Sequence, residues 1–278
     1  MKENKKKYVL FTIILMLVCL SMGWLMGANY KKIIKEAPPA KEEVKPDESN
    51  NKKAFSNITK EEAEGLVQPF IALLTRGCSS EEYFYIKDTT TYKTISNNDK
   101  IEIASSNLET SSTGEDDGFT LKEIKKAFKK TFGENKEINY PRYLNFESTF
   151  SSYSLVNDTY EVVSSGGGCI EFNDWLHTKV VSAKKANNKI TVRVNFGLLV
   201  RDNVEELEEA EEVNEENITS KLYASHAKER IIAEDIKFND EDEEVEKILS
   251  GEDTDYIIFT FVKENNNYIF EKAELKKR

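Results

Sequence analysis

The sequence predicts an α+β protein: an N-terminal transmembrane helix, then helices packed on a curved antiparallel sheet. Three observations predict it. Residues 8–28, YVLFTIILMLVCLSMGWLMGA, contain no charged side chain. Two Thr-x-x-Glu boxes each precede apolar residues spaced three and four apart, the mark of capped amphipathic helices. Later, β-branched runs alternate between Asn-rich turns, the mark of hairpins. Helices first and strands later segregate into two layers, one of each kind.

The anchor comes first in the chain. At 1.5 Å per residue, about 20 apolar residues cross a hydrocarbon core of roughly 30 Å. Residues 8–28 have that length, and Trp24 suits the interface near the far end. Retention as a signal anchor is the first reading. Cleavage after Ser21-Met22-Gly23 is the second, and the apolar run continuing through Met26 disfavours it. A lipid anchor at Cys19 is disfavoured because bulky Val18 precedes it. Flanking lysines are nearly balanced: Lys2, Lys5, Lys6 and Lys7 before, Lys31, Lys32, Lys35, Lys41 and Lys45 after. A very short basic tail before an apolar run still directs the large C-terminal part outward.

Four segments follow from this reading. Residues 1–7 are a short cytoplasmic tail and residues 8–28 the transmembrane signal anchor. Residues 29–55 are an extended linker, with Pro38, Pro39, Pro46 and mixed charges but few apolar side chains. Residues 56–278 are the extracytoplasmic α+β domain, long enough to bury a core. A net charge of −11 and a pI near 5.0 argue against nucleic acid as a partner.

Within the domain, Thr59-Lys60-Glu61-Glu62 opens a helix whose apolar face is Ala63, Leu66, Val67, Phe70, Ile71 and Leu74, with Gly77 as its stop. Ser96 with Asp99 caps a second helix over residues 97–108. Thr120-Leu121-Lys122-Glu123 opens a third, with Leu121, Ile124, Phe128 and Phe132 as its stripe and Gly133 as its stop. Strands are predicted over residues 146–163 with a turn at Asn157-Asp158. They are predicted again over 178–184 and 189–200 around Ala186-Asn187-Asn188, and over 218–225 and 229–238. Residues 240–249 read as a short acidic helix, and residues 255–262 and 268–275 as a closing hairpin. A long curved sheet around an N-terminal helix is the shape of cystatin-like and nuclear-transport-factor-like folds, an analogy that carries no function.

Phe132-Gly133, the run from Ser164 to Gly168, Ser182-Ala183-Lys184-Lys185, and Ile258-Phe259-Thr260-Phe261 with Asn267-Tyr268 together resemble a group of uncharacterised single-pass membrane-anchored proteins of low-GC Gram-positive bacteria. The resemblance implies an anchor and an exterior domain, and no activity.

Three chemistries are open to the domain's polar and sulfur side chains. Cys78 and Cys169 are the only cysteines beyond the anchor. Outside the cell an isolated pair forms a disulfide, stabilising by up to about 4–5 kcal/mol on the chain-entropy model. Alternatively Cys169, beside three glycines, is a nucleophile with His177 as base, a reading the disulfide excludes. Finally, the acidic runs at residues 204–216 and 240–244 lack the spacing of a calcium loop and read as solvated segments, with weak calcium binding the lesser reading. Only His177 and His226 are present, and CxxC, HExxH, GxGxxG, GxxxxGK[ST] and GxSxG are absent, so neither a metal nor a cofactor is expected. The leading functional expectation is a binding or interaction module of the cell envelope, whose partner is another envelope protein or a wall polymer.

Overall fold

Two long strands form the spine. β7 (Asp174–Ala186) and β8 (Lys189–Arg201) pair antiparallel over almost their whole length, turning at Asn187, whose φ of 54° suits asparagine. This computed structural model describes residues 54–71, 74, 86–108, 118–146, 151–165, 174–201, 218–251 and 253–278. The predicted anchor, Cys78, Cys169, the glycine run 166–168 and the first acidic run lie outside the described residues. Among those described, no helix is long and apolar enough to cross a membrane.

The free edge of β8 serves two neighbours. Its first half pairs with β11 (Tyr256–Glu264) and its last residues with β9 (Thr219–Tyr223). The changeover falls at Gly197, where an added Cβ would lie 2.9 Å from Leu222 Cδ1 and 3.2 Å from the Tyr223 carbonyl. Glycine therefore lets β9 close in where the sheet curls. β12 (Asn267–Lys276) and β2 (Thr89–Thr91) continue beyond β11, and β10 (Ile231–Lys237) continues beyond β9. On the far side β1 (Phe55–Ser56) joins β7 in parallel, Phe55 opposite Ala183. The result is an eight-stranded curled sheet, antiparallel except at β1.

A second, four-stranded sheet runs β3 (Phe119–Thr120), β6 (Thr159–Ser164), β5 (Ser151–Val156), β4 (Tyr143–Phe146). The single long sheet expected from sequence is thus two sheets. β5 and β6 join through Asn157 and Asp158, both at positive φ, a turn whose twist matches that of the strands.

The three predicted helices are present: α1 (Lys60–Ile71), α2 (Asn97–Ser105) and α3 (Leu121–Phe132). All three capping boxes close. Thr59, Ser96 and Thr120 each accept a backbone N–H through the hydroxyl, and Glu62, Asp99 and Glu123 each accept one in return. The Thr59 amide holds the Glu62 carboxyl below its ordinary range, and the Thr120 hydroxyl does the same for Glu123. α2 also protects an edge. Asn98 Nδ2 donates to the Asn145 carbonyl, and the Asn145 N–H donates to Asn98 Oδ1 at 3.2 Å. A side-chain amide thus stands in for a further strand beside β4.

Apolar faces of the helices meet both sheets in one core. Phe70 of α1 is its centre, stacked on Phe270 at 4.5 Å and within 6.2 Å of Phe132, Phe259 and Phe261. Gly133 ends α3 at φ 103°, and Glu264 at the tip of β11 accepts the next amide, Glu134 N–H, at 2.7 Å. A fourth helix, α4 (Glu241–Leu249), lies on the opposite face of the large sheet over a smaller cluster of Leu199, Leu222, Ile236, Val245 and Leu249.

Candidate functional site

His177 is the only member of the predicted thiol site whose side chain the structure describes. It lies on β7 between Trp175 and Lys179, and strand alternation puts these three on one face. That face carries α4. Lys179 Nζ reaches Glu246 Oε1 at 2.7 Å and the Glu246 carbonyl at 3.1 Å. The Trp175 ring lies 3.9 Å from the Arg201 guanidinium carbon. Arg201 in turn grips Glu241, Nη2 to Oε2 at 3.0 Å and Nε to Oε1 at 3.3 Å. Buried Ser220 donates its hydroxyl to the same carboxylate. So part of the second acidic run is not solvated. Glu241 is buried because β8 and β9 present Arg201 and Ser220 beneath the first turn of α4, a pairing across 40 residues that no local pattern reveals. Among the described residues no group of three His, Cys, Asp or Glu side chains is placed to hold a metal.

Burial pushes the His177 imidazole below its ordinary value of 6.5, while the nearby Asp242 and Glu241 carboxylates push it back up. The folded protein therefore resists protonation more than the unfolded chain. The resulting stability is complete above about pH 6.5 and drains as pH falls from there through the lowered folded value. Urea midpoints of wild type and His177→Gln, measured from pH 7.5 to 5, are expected to converge at the acid end. Parallel profiles would show that His177 does not titrate between the two states.

A different place has the form of a binding site. α1, the end of α3 and the tip of the β11–β12 hairpin enclose a pocket of about 260 Å³. Gly65 and Pro69 line it, four residues apart on α1. Proline has no N–H, so the Gly65 carbonyl lacks its i+4 helical donor. Nothing lies within 4 Å of a Cβ built on Gly65. Glycine costs a helix interior about 0.5–1 kcal/mol relative to alanine, and packing does not require it here. The pair thus leaves a backbone acceptor without its usual helical donor on a stretch of α1 that lines the pocket. Opposite stand the amides of Asn107, Asn266 and Asn267 and the half-buried ring of Tyr268. Asn107 is oriented by donating to Thr131 Oγ1 at 2.9 Å, and Thr131 donates to the Ala127 carbonyl at 2.9 Å. Lys130 also lines the pocket, and no carboxylate among the described residues does.

These residues were not singled out from sequence. The available signal was a glycine and a proline inside one helical pattern. The amides come from an α2–α3 connection and a hairpin tip that only the fold brings together. No family model matches the chain, and no curated protein or solved structure matches it either.

Proposed function

We propose that this chain is a membrane-anchored binding module of the bacterial cell envelope. Residues 8–28 hold it in the membrane and residues 56–278 face outward, where Cys78 and Cys169 form a disulfide. Its likeness to cystatin-like or nuclear-transport-factor-like folds, α1 against a curled sheet, is architectural and assigns no ligand. The observation that carries the reading is the pocket beside Gly65. Amides supply both donors and acceptors, a tyrosine ring supplies an apolar face, and the Gly65 carbonyl, lacking its i+4 donor, supplies a further acceptor. That inventory suits a neutral ligand rich in hydroxyl or amide groups, such as a sugar unit of a wall polymer. Pocket volume limits the bound part to about one such unit, since drug-sized ligands occupy roughly 300–1,000 Å³.

Gly65→Leu tests this. The space around Gly65 accepts a side chain, and leucine is a far better helix former than glycine. The variant is expected to melt no lower than wild type yet fill the pocket. Full-length protein in nonionic detergent is mixed with purified, protein-free cell-wall polymer and sedimented. Wild type is expected in the pellet and Gly65→Leu in the supernatant. Equal retention of both, or of neither, would sink the reading.

A further inference from the structure

The outer face of the large sheet holds a second pocket, also about 260 Å³, beside the part covered by α4. It is built by four adjacent strands, β1, β7, β8 and β11. Register places two rows across them. Ser56 on β1 lies opposite Lys184 on β7, which lies opposite Thr191 on β8. Ser182 on β7 lies opposite Arg193 on β8, which lies opposite Ile258 on β11.

These positions share a face only because β7 is bulged. Val180 pairs with Val194 and Ser182 with Arg193, so Val181 is an extra residue. Were the strand unbulged, Val181 would take the place opposite Arg193 and the register beyond Val180 would slip by one. Ser182 and Lys184 would turn toward the core and Ala183, which is buried, would turn outward. The bulge thus re-aims a serine and a lysine onto the face that carries Arg193. The Ser182-Ala183-Lys184 stretch, conspicuous in the sequence, finds its physical meaning here.

Arg193 is held in place. Its guanidinium carbon lies 4.1 Å from the Tyr256 ring centre, and its Nε donates to Asn195 Oδ1 at 2.9 Å. Asn195 is fully buried and itself pinned, donating to the carbonyls of Leu249 and Gly251 at 2.8 and 2.9 Å. The described lining therefore holds the side chains of Arg193 and Lys184 and three hydroxyls, with no carboxylate among the described residues. Among the described residues, Glu274 lies opposite Ile258 and is engaged by Lys272 at 2.7 Å and Lys276 at 3.4 Å.

We propose that this pocket is an oxyanion site for a phosphoryl group. Hydroxyls from three strands, an ammonium and a guanidinium lining one pocket match a tetrahedral anion, which takes hydrogen bonds from several directions at once. The site is separate from the pocket beside Gly65 and independent of the proposal made for it. The phosphoryl group can come from a free phosphate or from a phosphodiester of a lipid headgroup or polymer.

Calorimetric titration of the full-length chain in nonionic detergent, at constant ionic strength set with chloride, tests this. The probes are inorganic phosphate and the phosphodiester bis(glyceryl) phosphate. Binding of at least one, absent with chloride, is the expected result. The tighter of the two identifies the source. Lys184→Gln and Ser182→Ala are each expected to weaken binding about tenfold, as befits a charge-assisted hydrogen bond. Both sites are accessible enough to keep the fold. Lys237→Gln, an equal charge change on β10, and Gly65→Leu should leave phosphate binding unchanged. No heat above chloride with either probe, or a loss with Lys237→Gln as large as with Lys184→Gln, would overturn the proposal.

Discussion

Phe70→Ala is expected to lower the unfolding free energy by about 3–5 kcal/mol, the usual cost of truncating a buried phenylalanine. The side chain is 5% exposed and touches four other phenylalanine rings. Those rings come from α3, β11 and β12, which also contact one another, so the site cannot collapse around the void. Edge-on and stacked geometry adds to area burial. Urea unfolding is the measurement, with the midpoint falling and the slope unchanged. Tyr143→Ala and Val163→Ala are the controls. Those residues are 62% and 65% exposed on the outer face of the small sheet and should change stability by no more than about 0.5 kcal/mol. A Phe70→Ala loss as small as theirs would mean that α1, α3 and the large sheet do not meet at this residue.

Glu241→Ala should cost about 2–3 kcal/mol. Removing one partner of a fully buried pair costs roughly 3–5 kcal/mol because the other charge is left without compensation. Here the Glu241 side chain is 9% exposed but that of Arg201 is 23% exposed, so water recovers part of the loss. Ser220 Oγ also loses its acceptor in a buried position. A cycle of Glu241→Ala, Arg201→Ala and the double variant should return a coupling energy above about 1 kcal/mol. The exposed pair Lys129–Glu134, with side chains 50% and 56% exposed, should return only about 0.2–1 kcal/mol and lose it in salt. If the two cycles agree, Glu241 is not the clamp that holds α4 to the sheet.

Much of the local structure was legible. The helix starts were read from hydroxyl and carboxylate residues three apart, and each box closes. The β7–β8 and β11–β12 hairpins were read from asparagine-rich turns between β-branched runs, and their strands prove longer than predicted. The short strands were not legible. β1 and β3 are two residues each and β2 is three, lengths at which no period exists to be seen. β4 was recognised only at Phe146, its last residue. α4 was found as a helix, yet its acidic start was expected in water.

The candidate sites divide in the same way. His177 was noted for its nearness to Cys169, and the structure places it under α4 beside Asp242 and Glu241. The pocket beside Gly65 and the outer-face pocket both depend on residues far apart in the chain. What the sequence by itself determined is what hydrogen bonds and periodicity within a few residues specify: the capping boxes, the amphipathic faces of α1 and α3, and the principal turns. What only the tertiary structure decided is which strands meet and in what register. One extra residue at Val181 inverts the facing of everything after it in β7, and a glycine at 197 lets β8 exchange β11 for β9. Those choices rest on contacts between distant segments, because a strand's facing has a period of two and a single residue reverses it.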